Sequence, residues 1–115
     1  RDSFKTILRA MIKDLGPKEF QRNLTIENNI LIDVREKDEL EICKIDGAIN
    51  MPMSSIMETF SELDLELSYS LYCHHGMRSM QVANFLLSKG FKSLFNLQGG
   101  IDAWSREIDS SVERY

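Results

Sequence analysis

Residues 69–89, YSLYCHHGMRSMQVANFLLSK, place a short apolar segment, a compact loop and a helix in immediate succession. Residues 69–72 are predicted to form a strand, and residues 79–89 a helix that Gly90 ends. The loop at residues 73–78 carries a cysteine, two histidines, a glycine and an arginine. Ligands of open α/β sheets bind beyond the carboxyl ends of the strands, where loops and helix N-termini meet. This loop is therefore the first candidate for a functional site.

Strands and helices alternate through the rest of the chain. Short apolar segments predict further strands at residues 30–34, 48–51 and 94–97. Helices are predicted at residues 17–24, 36–42 and 101–108. Ser55 and Glu58 have the spacing of a capping box, which predicts another helix of about two turns. The alternation indicates a layered α/β fold.

The N-terminal residues form a separate pattern. Apolar side chains recur at helical spacing through residues 3–15, which predicts an amphipathic helix ended by Gly16 and Pro17. We therefore expect an N-terminal helical extension at residues 1–16 and one domain at residues 17–115. Packing on its own domain, dimerisation and attachment to a preceding domain are the three roles considered for this extension.

Composition excludes several classes of protein. The chain has 115 residues, of which 43% are hydrophobic, and a formal net charge of −4. A negative net charge argues against a nucleic-acid or anionic-membrane partner, because either would require a basic face. No segment approaches the roughly 18 apolar residues of a membrane span. A soluble protein is the expectation.

Cysteine usage predicts the compartment. Cys43 and Cys73 are too few for a disulfide scaffold and lack the paired spacing of a zinc site. Reduced thiols in the cytoplasm are therefore expected.

The loop at residues 73–78 has the composition of an anion-binding cradle. Successive backbone amides that curl before a helix can point inward, and the helix dipole adds partial positive charge. Gly76 permits the curl, since it can adopt positive φ at little cost. A field that binds an anion also favours a thiolate, so Cys73 is predicted to be nucleophilic. The alternative is an inert cysteine buried at a strand end.

Four motifs in order identify a family. They are LIDVRE at residues 31–36, GAINMP at 47–52, CHHGMRS at 73–79 and NLQGGIDAW at 96–104. Together they resemble the rhodanese-like sulfurtransferases, over about residues 17–115. The resemblance implies a three-layer α/β domain with a mostly parallel central sheet of about five strands flanked by helices.

The resemblance also implies a reaction. Cys73 would accept sulfane sulfur from a small anionic donor such as thiosulfate and pass it to a thiol, a cyanide-like acceptor or a protein. The amides of residues 74–78 would hold the outer sulfur of the persulfide. No cofactor or metal is implied. The predicted substrate and persulfide loop consists of His74, His75, Gly76, Met77 and Arg78.

Two arginines have alternative roles. Arg78 either receives the anionic donor or fixes the loop through a salt bridge. Asp33 and Arg35 match a polar pair of the family and are predicted to support the architecture. A direct contact of Arg35 with substrate is the second interpretation.

The remaining candidates are the histidines and the second cysteine. His74 and His75 are predicted to add positive potential or to select the acceptor, and solvated spectators are the alternative. A metal site is not predicted, because adjacent residues seldom converge on one ion and no carboxylate cluster is evident nearby. Cys43 is predicted to be a packing residue rather than a partner in a disulfide or persulfide exchange.

Other functions remain open at this point. A phosphatase would also use a cysteine and an arginine, but phosphate calls for the longer C-x5-R loop, and Cys73 to Arg78 is C-x4-R. Arsenate reduction is a weaker enzymatic alternative. Non-catalytic interaction modules of this kind commonly lack the cysteine. A persulfide carrier within a larger thiolation system is also considered, because residues 107–115 resemble tails on rhodanese-like domains fused to adenylating enzymes.

Overall fold

Five parallel strands form one sheet in the computed structural model, which describes residues 12–115. The strand order is β1-β5-β4-β2-β3, so that β4 lies at the centre. This confirms the predicted α/β class and the parallel sheet. The strands are β1 Lys13–Leu15, β2 Asn29–Asp33, β3 Ile49–Asn50, β4 Ser68–Tyr72 and β5 Leu94–Leu97.

Helices lie between successive strands, and one more follows β5. They are α1 Pro17–Asn23, α2 Lys37–Leu40, α3 Ile56–Thr59, α4 Met77–Ser88 and α5 Gly100–Glu107. Short 3₁₀ turns at Met53–Ser55 and Phe60–Glu62 flank α3. Most boundaries lie within two residues of the predicted ones, but α2 and α3 are single turns.

Two apolar clusters cover the sheet. Ile32 and Leu71 belong to one cluster, and their neighbours Leu31 and Tyr72 belong to the other. Successive side chains of a strand point to opposite faces, so the clusters lie on opposite faces of the sheet. The first includes residues of α4, and the second includes Trp104 of α5. These layers hold the carboxyl ends of the strands in fixed positions.

The helix predicted at residues 3–15 is wrong at its C-terminal end. Strand β1 pairs with β5 in the register Lys13 to Phe95, Asp14 to Asn96 and Leu15 to Leu97. The open side of β5 satisfies the backbone groups of these residues, and this pairing overrides the local helical pattern. Residues 13–15, which the sequence assigned to the N-terminal extension, are thus part of the sheet. Residues 1–11 lie outside the described residues, so that part of the extension stays a prediction.

The predicted capping box is also wrong. The Ser55 side chain makes no cap bond to α3, and its hydroxyl donates to the Pro52 carbonyl instead. A capping box does occur at α2, where Glu36 and Glu39 each bind the other's backbone amide. Glutamate is an unusual N-cap residue, so the sequence did not indicate it. This box is important because it fixes Glu39 beside the candidate site.

Candidate active site

Cys73 follows directly after β4, at the carboxyl end of the central strand. Gly76 ends the loop with φ +101° and serves as the N-cap of α4. A Cβ at this position would lie 3.1 Å from the Leu97 carbonyl oxygen and 3.2 Å from the Gly99 nitrogen. Glycine is therefore required both by the backbone conformation and by the close approach of the β5–α5 turn.

The Cys73 sulfur accepts three hydrogen bonds. The Gly76 amide donates to Sγ at 3.1 Å, and the amide and hydroxyl of Ser79 each donate at 3.3 Å. Ser79 is fully buried. Donors placed around a sulfur atom stabilise negative charge on it, as an oxyanion hole does for oxygen.

Of the predicted amides at residues 74–78, only that of Gly76 donates to the Cys73 sulfur. Ser79 lies one residue beyond the predicted loop, and it supplies two of the three donors. The motif at residues 73–79 includes Ser79, but no feature of the sequence indicated that its amide and hydroxyl would both turn toward the sulfur. The role of the amides of residues 74–78 toward an outer sulfur stays a prediction.

Cys73 is also almost enclosed by protein. Its exposed fraction is 1%, and it belongs to the apolar cluster that contains Ile32, Val34 and Met51. This burial agrees with the inert alternative, whereas the amides of Gly76 and Ser79 that point toward the sulfur favour a reactive thiol. Because so little of the residue is accessible, a bulky reagent reaches Sγ only when neighbouring side chains move.

Arg78 makes a two-pronged ion pair with Glu39 of α2. Its Nη1 and Nη2 atoms donate to the two carboxylate oxygens at 2.7 and 2.9 Å. These bonds are the main reason that the pKa of Glu39 falls to about 2. The loop-fixing salt bridge considered for Arg78 is therefore present. Sequence analysis had no signal for Glu39, since its partner lies 39 residues away.

Asp33 and Arg35 form a buried pair at the end of β2. The Arg35 Nη2 atom donates to Asp33 Oδ2 at 2.7 Å and to the Cys43 carbonyl at 2.7 Å. Burial alone would lower the pKa of Arg35, but hydrogen bonds to Asp33 and Tyr115 outweigh it and raise the pKa. The pair thus ties β2 to the segment after α2.

The two histidine rings lie against each other at a tilt of 31°. Their ring centroids are 3.9 Å apart, and the Tyr115 ring stacks on His74 at 3.8 Å. Burial, followed by the charge of His75, lowers the pKa of His74. The Nε2 atom of His74 is buried and has no hydrogen-bond partner among the described residues.

A carboxylate does lie near the histidines, contrary to the sequence-based expectation. One ligand atom from each of His74, His75 and Asp102 falls within 4.8 Å of the others. Asp102 already accepts hydrogen bonds from Arg106 and Arg114, at 3.2 and 2.9 Å. The Asp102 carboxylate lies near the histidines because the first turn of α5 packs against the loop, where the Asp102 amide donates to the His74 carbonyl.

Asn96 of β5 also holds the loop, and the sequence did not indicate this contact. The Asn96 amide on β5 donates to the Gly76 carbonyl at 3.2 Å and to Asp14 Oδ1 at 3.0 Å. Asp14 lies on β1, so the edge strand takes part in fixing the cradle. No pattern in the sequence indicated that these three residues meet.

Comparisons with known proteins concern the family and the fold of the chain. A family model described as a rhodanese-like domain matches residues 16–107. The chain is 35% identical over 101 residues to thiosulfate sulfurtransferase GlpE of Coxiella burnetii, covering 88% of this chain and 94% of the relative. A crystal structure of a rhodanese-related protein from Thermoplasma volcanium superposes with a TM-score of 0.75 and 29% identity, covering 84% of this chain and 93% of the other.

A further relative is much longer than this chain. The chain is 36% identical over 115 residues to the Arabidopsis thaliana rhodanese-like/PpiC domain-containing protein 12, chloroplastic, but spans only 38% of that protein's length. Within residues 12–115, every helix is too short or too polar to cross a membrane.

Proposed function

The chain belongs to the rhodanese-like domain family, and on that premise we propose that it is a sulfurtransferase that carries sulfane sulfur as a persulfide on Cys73. The observation that carries the proposal is the set of three hydrogen bonds donated to the Cys73 sulfur. All three come from N–H or O–H groups fixed at the start of α4. A thiolate is the form of cysteine that such a cradle stabilises best, and it is also the nucleophile that sulfur transfer needs.

The proposed reaction is a double displacement. The Cys73 thiolate attacks the outer sulfur of thiosulfate, a new S–S bond forms, and the original S–S bond breaks. Sulfite leaves with the electron pair of that bond. A thiolate or cyanide acceptor then attacks the outer sulfur of the persulfide, and the Cys73 thiolate is regenerated. Neither step requires an external oxidant, a reductant or an obligatory proton donor.

Two groups near the loop would recognise the substrates, Arg78 the anionic donor and the histidines the acceptor. The Arg78 side chain remains 32% exposed even though it pairs with Glu39. Its carboxylate partner offsets much of its charge, so we expect weak donor binding rather than a tight anion site. The histidines would select the acceptor at the loop surface, where His75 is exposed.

The compartment and the acceptor belong to the same proposal. We propose a reducing compartment such as the cytoplasm, because persulfide turnover needs Cys73 as a free thiol. A protein acceptor is compatible with a persulfide carrier in a larger thiolation system. The donor is proposed to be thiosulfate because a relative of similar length is named for that substrate.

Intact-mass analysis tests the proposal directly. The reduced protein is treated with thiosulfate, and the expected result is the addition of one sulfur atom that cyanide then removes. Cys73→Ser should never acquire this sulfur. The matched control is Cys43→Ser, which should acquire it as the unmodified chain does. Sulfur addition to Cys73→Ser, or none to the unmodified chain, would contradict the proposal.

An assay with a phosphotyrosine mimic separates the phosphatase alternative. The C-x4-R loop is shorter than phosphate requires, so hydrolysis of the mimic should stay at the level of Cys73→Ser. Cys73-dependent phosphate release would favour the phosphatase instead.

A further inference from the structure

Tyr115 contacts three groups that surround the Cys73 loop. Its hydroxyl donates to Glu39 Oε1 at 2.8 Å and accepts from Arg35 Nη1 at 2.9 Å. Its ring lies over the His74 ring with an interplanar angle of 3°. The residue is 38% exposed, so burial of its own surface does not account for this placement.

The segment before Tyr115 is fastened to α5. The Ser105 hydroxyl donates to the Val112 carbonyl, and Arg114 Nε donates to Asp102 Oδ1 at 2.9 Å. Val112 also packs against the apolar cluster that contains Trp104. These contacts hold residues 112–114 against α5, so that the Tyr115 ring reaches the His74 ring of the loop.

Glu39 connects the hydroxyl to the catalytic loop. The Oε1 atom that accepts the Tyr115 hydroxyl also accepts Arg78 Nη2 at 2.9 Å. Glu39 is held by Arg78 and by the Glu36 amide, and the Tyr115 hydroxyl adds a further donor at Oε1, which narrows the orientations of the carboxylate. The tyrosine therefore restricts Glu39, and Glu39 restricts the arginine at the end of the loop.

We propose that Tyr115 is a positioning residue of the Cys73 site, whose hydroxyl orients Glu39 and thereby Arg78, and whose ring holds His74 beside the nucleophile. Its role in sulfur transfer rests on the proposed function, whereas its effects on Glu39 and His74 do not. Tyr115 does not contact the Cys73 sulfur, and it acts through Glu39, Arg78 and His74.

Two titrations report on the two contacts separately. The hydrogen bond from Tyr115 contributes to the low pKa of Glu39, so its loss should raise that pKa from about 2. The pKa of His74 is lowered first by burial and then by His75, and it is raised by the Tyr115 backbone, Asp102 and Glu39. Removal of the covering ring should raise the pKa of His74, because the protonated ring regains water.

The experiment compares Tyr115→Phe with Tyr115→Leu. Tyr115→Phe keeps the stacked ring and removes the hydroxyl, so it should raise the pKa of Glu39 and leave that of His74 in place. It should raise KM for thiosulfate roughly 3- to 10-fold with little change in kcat, which is less than a directly lost hydrogen bond to a charged group because the effect passes through Glu39. Tyr115→Leu should produce both pKa changes. Carbon-13 NMR follows the pKa of the Glu39 carboxylate, and nitrogen-15 NMR follows that of the His74 ring.

A matched control separates positioning from stability. Tyr69→Phe also removes one hydroxyl, which donates to the Asp64 carbonyl. Tyr69 lies near the start of β4, at the end of the strand away from Cys73. It should lower Tm without moving KM or either pKa. If Tyr115→Phe behaves like this control and Tyr115→Leu leaves His74 unchanged, the positioning role is wrong. If the unmodified chain transfers no sulfur, the proposed function fails, and the two titrations still decide the role of Tyr115.

Discussion

The two cysteines of this chain lie in contrasting surroundings. Cys73 receives three hydrogen bonds at its sulfur, two of them from backbone amides at the start of α4. The Cys43 sulfur faces one donor, Arg35 Nη1, at 3.8 Å, and that arginine is already bound to Asp33. Burial is the main reason that the pKa of Cys43 is raised. The arginine near Cys43 thus does not offset the effect of burial on that thiol, whereas the start of α4 points three donors at the Cys73 sulfur.

The largest expected effect tests this contrast at the nucleophile itself. Cys73→Ser should lower steady-state thiosulfate sulfurtransferase activity by roughly 10³-fold or more, because no persulfide can form. Cys43→Ser should stay within about twofold of the unmodified chain, since lost packing is its only consequence. Cyanide-dependent thiocyanate production measures both. Equal losses in the two variants would abolish the distinction between the cysteines.

Gly76→Ala should disturb the cradle through the backbone. The new Cβ would press on the Leu97 carbonyl and the Gly99 nitrogen, in addition to the strain of φ +101°. We expect a loss of about 2–4 kcal/mol in the free energy of unfolding, measured by urea denaturation, together with most of the activity.

Gly47→Ala is the matched control for this substitution. Gly47 also has positive φ, at +89°, but a Cβ there meets nothing within 4 Å. It should cost about 1 kcal/mol and leave activity in place. Equal losses of stability would show that conformation alone, and not the close approach, makes Gly76 necessary.

Ser79→Ala removes one donor from the Cys73 sulfur while α4 keeps its length. We expect kcat for sulfur transfer to fall about 10-fold, since the amides of Gly76 and Ser79 remain. Ser88→Ala, at the exposed end of the same helix, loses a hydroxyl bonded only to the Phe85 carbonyl. Its kcat should not change. An unaltered rate in Ser79→Ala would mean that the hydroxyl contributes nothing to the nucleophile.

The smallest effect concerns the pH dependence of Cys43. Its pKa lies above the ordinary value of 9.0, so its thiolate fraction at neutral pH is small. In Cys73→Ser, alkylation of Cys43 by iodoacetamide should therefore be slow at pH 7 and still be rising at pH 9.5. Peptide mapping by mass spectrometry measures this rate. A plateau below pH 9 would show that Arg35 activates Cys43 after all.

Local chemistry explains why much of the fold could be predicted. The apolar segments at β2, β4 and β5 are bounded by turn residues, and each forms a strand within one residue of its predicted limits. Two fold predictions failed, for different reasons. The helix over residues 13–15 failed because distant β5 supplies its backbone partners, about which a local pattern carries no information. The capping box at Ser55 failed because the hydroxyl donates to the Pro52 carbonyl, three residues earlier.

The sequence by itself determined that a cysteine would follow a strand, and that Gly76 would turn the chain into a helix behind it. Tertiary structure alone decided which groups meet around that cysteine, as in the contacts of Arg78 with Glu39, Asn96 with Asp14 and His74 with Tyr115. The physical reason is separation along the chain. Spacing rules describe residues within a few turns of one another, whereas these partners are joined only when the strands align and α5 packs against the sheet.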